Sequence, residues 1–502
     1  MSIISPKLLG LFILSALTPL LSYSAFASET KKWPASMASG TLPVIYIDTE
    51  NNTPIIDKET KIPADLFMTV PPEWAFEALG TSEKPVKLEI KGRGNSSWSN
   101  SPKKPYKLKF EKKTAIAGMP KNKHYALLSC HLGYIEWISY MAGLELSRMA
   151  GNAWTPTMEP VELVLNGSYE GLYFLTETIK IDNNRVDIFE QEDLCEDPGL
   201  IAGGWLVEID NYDDPAQIVI EEFPGQDLRI TYHTPEELSE IQHRWLIDEF
   251  TTLNTAIYAN DDSHNSWTDY IDAASVARYF IVREILHDTD GYNGSFYLHK
   301  DLAPGSKWIF GPMWDLASDI KKDWIMNDHP DYSQVHWIEA LSKTDAFKAA
   351  VSQLWEAMYD KLDGIYDYID EIAAKCAKAD LANEKRWERE GDTYSKAGAQ
   401  KDILKHNISW IKNHIYDLSG IDRITDGISE QPIRIYGNSI EFGMDIVSYT
   451  ITDISGKTCM AGSDSTIIDI SALNTGLYIL RCVDKSGNSY SQKIINARSC
   501  AL

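Results

Sequence analysis

Cysteine is scarce in this chain. Six stand in 502 residues, Cys130, Cys195, Cys376, Cys459, Cys482 and Cys500, and no two form a CxxC pair. That spacing leaves a zinc ribbon without support, and a catalytic cysteine is not expected. An oxidising compartment permits disulfides. Cys459 and Cys482 sit in one small terminal region where they can pair, but the scatter fixes no connectivity. Positive charge is also short: 47 Lys and Arg face 73 Asp and Glu, a net charge of −26. Such a surface repels phosphate backbones, so nucleic acid is not expected as a partner. Any site for an anionic cofactor must gather positive charge locally or use a metal. Beyond the first twenty-odd residues no run is apolar enough to cross a bilayer, and no Walker-type phosphate loop occurs.

The start of the chain reads as an export signal over residues 1–27. Lys7 supplies the positive end, Leu8 to Leu21 is an apolar run broken by Pro19, and Ala25-Phe26-Ala27 gives small residues for cleavage. The run is too short for a membrane span. The expected mature protein is exported through the periplasm, to the surface or the medium, with no transmembrane segment once the signal is removed. With 44% hydrophobic content it can build one large or two medium cores.

Period-two alternation dominates the first half. A strand signal lies at residues 42–47. Two runs between Val86 and Phe110 flank a Gly/Ser/Asn stretch, with Tyr106, Leu108 and Phe110 alternating with Lys107 and Lys109. Tyr134 to Met149 has helical spacing. Strands Val161 to Leu165 and Gly171 to Thr176 are joined by Asn166-Gly167, a strong hairpin signal. Gly204 to Asp210 and Gln217 to Glu221 look like another pair. Helices are then expected from Pro235 to Tyr258, from Ala273 to Leu286 with Ser275 near its start, from Ala346 to Ala379 and from Ala397 to Leu418. Two short strands, Ser295 to His299 and Trp308 to Phe310, interrupt them. This is an α+β pattern. Ile433 to Ile495 reads as short strands split by turns, a small β-sandwich.

Two constellations carry chemistry. The first is Gly92-Arg93-Gly94-Asn95-Ser96-Ser97-Trp98 followed by Pro102-Lys103-Lys104-Pro105-Tyr106-Lys107-Leu108-Lys109-Phe110. Backbone amides of such a loop can cradle phosphate oxygens, and lysine adds point charge. An ordinary hairpin with a solvated basic face is the plainer option. The second runs from His287-Asp288-Thr289-Asp290-Gly291-Tyr292-Asn293-Gly294-Ser295-Phe296-Tyr297 to Trp308-Ile309-Phe310-Gly311-Pro312-Met313-Trp314-Asp315-Leu316-Ala317-Ser318-Asp319. A hairpin of this length can bring Asp290 near Asp315. Converging carboxylates beside an amide suit a hard cation and phosphoryl transfer. Turn-forming aspartates or a structural Ca²⁺ site remain open.

These two stretches, with Val161-Glu162-Leu163-Val164-Leu165-Asn166-Gly167-Ser168-Tyr169-Glu170-Gly171-Leu172-Tyr173-Phe174-Leu175-Thr176-Glu177 between them, resemble the signatures of the CotH family in order and spacing across residues 40–420. The resemblance implies a pared-down, atypical protein-kinase-like fold over residues 28–425. A β-rich N-lobe and a helical C-lobe would hold ATP and Mg²⁺ (or Mn²⁺) between them. Asp290 would be the catalytic-loop aspartate and Asp315 the metal-holding one. Lys104, with Lys103 as alternate, would contact phosphate. Arg93, Gly94, Asn95 and Ser96 would cover the nucleotide, and Glu177 would lie at its edge or hinge.

The chain departs from the family pattern in places. Ser295 stands where the family has a metal-binding Asn, leaving Asn293 as the nearest amide. Ala317 replaces a second acidic residue, with Asp319 two places on. Gly133 and Ile138 stand where an Asp and an Arg are usual. The implied activity is transfer of a phosphoryl group to Ser or Thr hydroxyls of exported proteins. The alternative is a catalytically weak or inactive surface binding protein. A glycosidase is a remote third, since no general-acid pair stands out among the many carboxylates.

At the C terminus, Ile451-Thr452-Asp453-Ile454-Ser455-Gly456-Lys457, Ile468 to Leu480, and Tyr490 to Ile494 with Lys493 resemble the type IX secretion sorting domain, over residues 430–502. That likeness implies a Bacteroidetes-type outer-membrane route and the type IX machinery as a partner. A generic accessory β-sandwich is the plainer option.

Overall fold

The computed structural model describes residues 32–130, 137–210, 212–220, 227–259, 266–288, 290–292, 294–316, 337–388 and 393–415, and, towards the C terminus, 433–436, 439–442, 445–453, 457–463, 466–474, 476–485, 487 and 489–496. The expected export signal lies outside the described residues. The chain divides into two units between Ser419 and Gly420.

In the first unit seven strands close a barrel. They are β1 (Val44–Thr49), β2 (Ile62–Thr69), β3 (Val86–Gly92), β4 (Tyr106–Ile116), β5 (Met119–Leu128), β6 (Met158–Leu165) and β7 (Ser168–Glu177), in the order β1-β2-β3-β4-β5-β7-β6. The closing pair, β1 with β6, is parallel; the other neighbours are antiparallel. Closure leaves no unpaired edge. The barrel core is the inward half of each alternation, including Ile45, Ile47, Leu66, Ile90, Leu108, Leu127, Leu163 and Leu175. Each such side chain contributes about 1.5–3 kcal/mol by leaving water. On β4, Tyr106, Leu108 and Phe110 point inward, which sends Lys107 and Lys109 to the other face. At the β6–β7 turn Asn166 has φ 49° and Gly167 φ 72°, the paired left-handed conformations of a tight hairpin turn.

A second sheet follows: β8 (Trp205–Ile209), β9 (Gln217–Ile220), β10 (Leu228–Thr234), β11 (Phe296–Lys300) and β12 (Ile309–Phe310), ordered β12-β11-β8-β10-β9. Helices pack beside it around one large core that includes Trp205, Tyr279, Phe280, Phe296, Trp308 and Trp337. The architecture is α+β, with a β-rich first part and helices after it.

Helix boundaries differ from expectation where caps decide them. The helix expected from Pro235 starts at Glu240 and runs to Tyr258 (α3). Ser239 Oγ accepts from Gln242 N at 3.3 Å, and Gln242 Oε1 accepts from Ser239 N at 2.8 Å. This capping box fixes the first turn. Helix α4 spans Ala273–Leu286 and is capped by Asp272, whose Oδ1 accepts from Ser275 N at 2.6 Å. The long helix expected over 346–379 is two, Asp345–Met358 and Gly364–Trp387, and the next is Thr393–His414. Before them, α1 is one turn, Ser96–Ser99, and α2 is Trp137–Met149.

The second unit holds a three-stranded sheet (Ile433–Tyr436, Ser439–Phe442, Ile467–Asp469) and a four-stranded one (Thr458–Ser463, Ile446–Asp453, Gly476–Asp484, Ser489–Asn496). Ile440, Ile451, Leu480 and Ile494 are buried in its core. Cys459 and Cys482 do not pair. Cys459 is exposed and Cys482 is buried, and both are free, as are Cys195 and Cys376. Among the described residues no helix is long and apolar enough to cross a membrane.

Candidate active site

The loop after β3 is set by two glycines. Gly92 passes under the Trp98 ring, where a Cβ would come within 2.4 Å of it. Gly94 has φ +84°, and a Cβ there would lie 2.2 Å from Ser97 Oγ. No L side chain fits either position without moving its neighbours. Lys104 secures the loop from below. Its Nζ donates to Trp98 O, near the C-terminal end of α1, and sits 5.3 Å from the centre of the Trp98 ring. Cation over ring and cation at a helix end act together here, so Lys104 holds the loop and does not line the cavity.

Lys103 is further from the expected role. It is 1% exposed, and its Nζ donates to Ser129 O at 3.2 Å, to Leu172 O and to Asn383 Oδ1 at 2.8 Å. An ammonium has three donors, and all three are taken. The Tyr173 ring lies 4.4 Å away on another side. Lys103 ties the barrel to the helix Gly364–Trp387. Glu177 is likewise internal: it is 1% exposed, and its Oε2 accepts from Thr157 N at 3.0 Å. Its Oε1 faces Arg185 Nε at 3.6 Å. Burial raises its carboxyl above the usual range.

Arg93, Gly94, Asn95 and Ser96 do share a cavity with Ser295 and Asp315. It has a volume of about 350 Å³, within the range of small-ligand sites. Cross-strand pairing sets Glu208 of β8 opposite Tyr297 of β11. Period two then sends Glu208 and Asp210 to one face, and both line the cavity with Tyr297. His233 Nε2 lies 2.7 Å from Glu208 Oε2, and its ring stacks on Tyr297 at 5.3 Å. Burial, and then Glu208, push the Tyr297 phenol well above its usual range, so it stays protonated.

Asp315 is an exposed residue at the cavity wall with φ 52°. Its backbone is clamped from both ends. Its N–H donates to Tyr140 Oη at 3.1 Å. Arg283 Nη1 donates to Asp315 O at 3.3 Å, and Arg283 Nη2 to Trp314 O at 2.8 Å. Arg283 is fully buried on α4. It also pairs with Asp288 and donates to Tyr279 Oη at 3.1 Å. Tyr279 in turn donates to Gly291 O. A Cβ on Gly291 would lie 2.2 Å from Arg283 Cζ, so glycine is required where that loop crosses the guanidinium. One arginine therefore sets both segments of the second constellation. Asp290 opens a short turn, Asp290–Tyr292; its side chain, and Asn293 and Asp319, lie outside the described residues, as do Gly133 and Ala317.

The cavity's donors are oxygens from Asp315, Asp210, Glu208 and Ser295. Such a set suits a hard divalent cation. Mg²⁺ takes one or two carboxylates and completes its shell with phosphate and water. Among the described residues no three His, Cys, Asp or Glu side chains are placed to hold a metal by themselves, so neither a closed Mg²⁺ cage nor a structural Ca²⁺ site is found there.

A second cavity, about 410 Å³, adjoins the first and shares Arg93, Tyr297 and Trp314 with it. Lys107, Lys180 and His233 line it.

Sequence reasoning missed Glu208, Asp210, Tyr140, His233 and Arg283. Two signals were available. Glu208 and Asp210 alternate at the end of an otherwise apolar strand, and Arg283 is a lone cation inside an apolar stretch of helix.

Residues 90–417 match the family described as CotH kinase protein, and residues 437–497 match the secretion system C-terminal sorting domain. No curated protein matches the chain. The sorting domain implies handling by the type IX secretion machinery and indicates export to the cell surface or the medium.

Proposed function

The chain belongs to the CotH kinase protein family, and on that premise we propose that it is a kinase-like phosphotransferase of exported proteins. It would use ATP and Mg²⁺ (or Mn²⁺) and transfer a phosphoryl group to Ser or Thr hydroxyls. The observation that carries this reading is the first cavity, where a glycine-set loop with Arg93 faces Asp315 and Ser295. Arg93 and the loop at Gly94, Asn95 and Ser96 are suited to phosphate oxygens. Asp315, with Ser295, is suited to a divalent cation, which when bound neutralises phosphate charge. Asp290, by its place in the family's pattern, would orient the acceptor hydroxyl. Asn293 and Asp319 remain candidate further ligands. In this reading the barrel serves as the N-lobe and the helical part as the C-lobe of a two-lobed kinase-like fold, residues 28–425, followed by the sorting domain over 430–502.

Transfer of label from γ-labelled ATP to an extract of exported proteins tests it. Wild type should label a protein band and Asp290→Ala should not. Equal labelling by both sinks the proposal.

One observation favours a second reading, a binding protein without catalysis. Ser295 replaces the amide ligand, and no ready three-ligand set exists among the described residues. Calorimetric titration with Mg·ATP separates the two. Heat from wild type that vanishes in Asp315→Ala supports the transferase, and no heat from either supports the binding protein.

A further inference from the structure

In a chain of net charge −26, three cations meet around the second cavity with little to neutralise them. The Arg93 guanidinium has no ion-pair partner among the described residues and lies 5.7 Å from the centre of the Trp314 ring. The Lys107 ammonium has no hydrogen-bond or ion-pair partner among the described residues, although it is largely enclosed. Glu236 also lines this cavity and reaches Lys180 Nζ at 3.5 Å, but its side chain is 74% exposed, so that pair contributes little. Lys91 adds a fourth positive charge nearby, against Glu59 at 4.0 Å. Of the carboxylates on the far side of the shared wall, Glu208, Asp210 and Asp315, Glu208 is already engaged by His233 at 2.7 Å. Like charges held together in a partly dry hollow repel, and they are relieved when an anion fills it.

We propose that the second cavity is a binding site for a phosphate-type anion, held by Lys107, Lys180 and Arg93. A tetrahedral anion carrying two or more negative charges matches one guanidinium, which can bind two oxygens at once, and two point-charge ammoniums. Tyr297 and Trp314 wall the site off from the carboxylates of the first cavity, and Arg93 belongs to both. The anion can come from two sources, the phosphate chain of a nucleotide lying across Arg93 or a separate phosphorylated small molecule. Burial first, and then Lys180, Lys91 and Arg93, hold the Lys107 ammonium down at about 8, opposed by Glu236. It is therefore mostly charged at neutral pH and gains most from an anion.

The test is calorimetric titration of the full chain at pH 7 with inorganic pyrophosphate and no divalent metal. Lys107→Met and Lys180→Met should each weaken binding about tenfold, the effect of losing one charged hydrogen bond. Lys107→Arg, which keeps the charge, should stay close to wild type. That variant separates lost charge from lost folding. Asp315→Asn, on the other side of the wall, should bind pyrophosphate as wild type does. A repeat with saturating ATP identifies the source: loss of the pyrophosphate signal assigns the site to the nucleotide's own phosphates, and persistence assigns it to a separate ligand. Absence of binding to wild type, or equal binding by Lys107→Met, overturns the proposal. The outcome is independent of phosphotransfer. A chain that binds pyrophosphate through Lys107 yet labels no protein refutes the transferase reading alone.

Discussion

The two cavities share Arg93, Tyr297 and Trp314 and differ in the balance of their remaining charges. Glu208, Asp210 and Asp315 line one; Lys107 and Lys180 line the other, with the largely exposed Glu236 beside them. Cross-strand pairing of β8 with β11 and the inward–outward parity of β4 are enough to sort them. The contrast shows how an acidic protein can concentrate positive charge: by parity on one strand and a neighbouring loop. It also isolates Arg93 as the one charge, among the described residues, seen from both sides.

The contrast can be broken or sharpened by substitution. The largest effect is expected at Arg283, which holds the backbone of Asp315 and of the shared Trp314. Arg283→Met removes the guanidinium that pairs with the buried Asp288 carboxylate, and breaking one partner of a buried pair costs about 3–5 kcal/mol. Chemical denaturation should report that loss. A stability close to wild type would mean that the guanidinium is not the support described.

Asp315→Ala comes next. Transfer activity should fall at least about a hundredfold, in line with losing a group that stabilises transition-state charge, with pyrophosphate binding intact. A parallel loss of both would merge the two cavities into one site.

A smaller effect follows from the proton on Lys107. Its folded value lies near 8, and a bound anion raises it, so binding takes up a proton around that value. Affinity for pyrophosphate should therefore fall severalfold from pH 7 to pH 9, although the ligand itself gains charge over that range. A flat or rising profile contradicts the role of Lys107, and Lys107→Arg should flatten the fall.

The smallest effect is at Lys104. Lys104→Met removes a cation over Trp98 and a bond to its carbonyl, about 0.5–1 kcal/mol in a partly exposed setting. Hydrogen exchange should quicken in residues 94–99 and stay unchanged around Asp315.

Much of this was legible in the sequence where the signal is local. Asn166-Gly167 gives its hairpin, the alternation around Leu108 gives the facing of β4, and the glycine loop and Asp315 do meet at one cavity. What was not legible depends on distant partners. Barrel closure rests on parallel pairing of β1 with β6, more than a hundred positions apart. The choice among lysines was misread for the same reason. Lys103 and Lys104 sit in the motif, but Asn383 captures one and Trp98 the other. Lys107, part of the same constellation but not singled out from it, faces the second cavity. Glu177 ends its strand as expected, yet it turns inward to Thr157 and Arg185. The start of α3 was placed too early because Pro235-Glu236-Glu237 resembles a first turn, whereas the side-chain pairing of Ser239 with Gln242 sets the true one.

The fastening at Lys103 has a mechanical consequence. Together with Arg386, which donates to Glu170 at 2.9 Å, and Trp387 Nε1, which donates to Glu170 O at 2.9 Å, it bolts the barrel to a long helix. Rocking of one half against the other is hindered by that bolt. Anything held near Arg93 is then reached past the short segment 93–99, whose path Gly92 and Gly94 set within that frame.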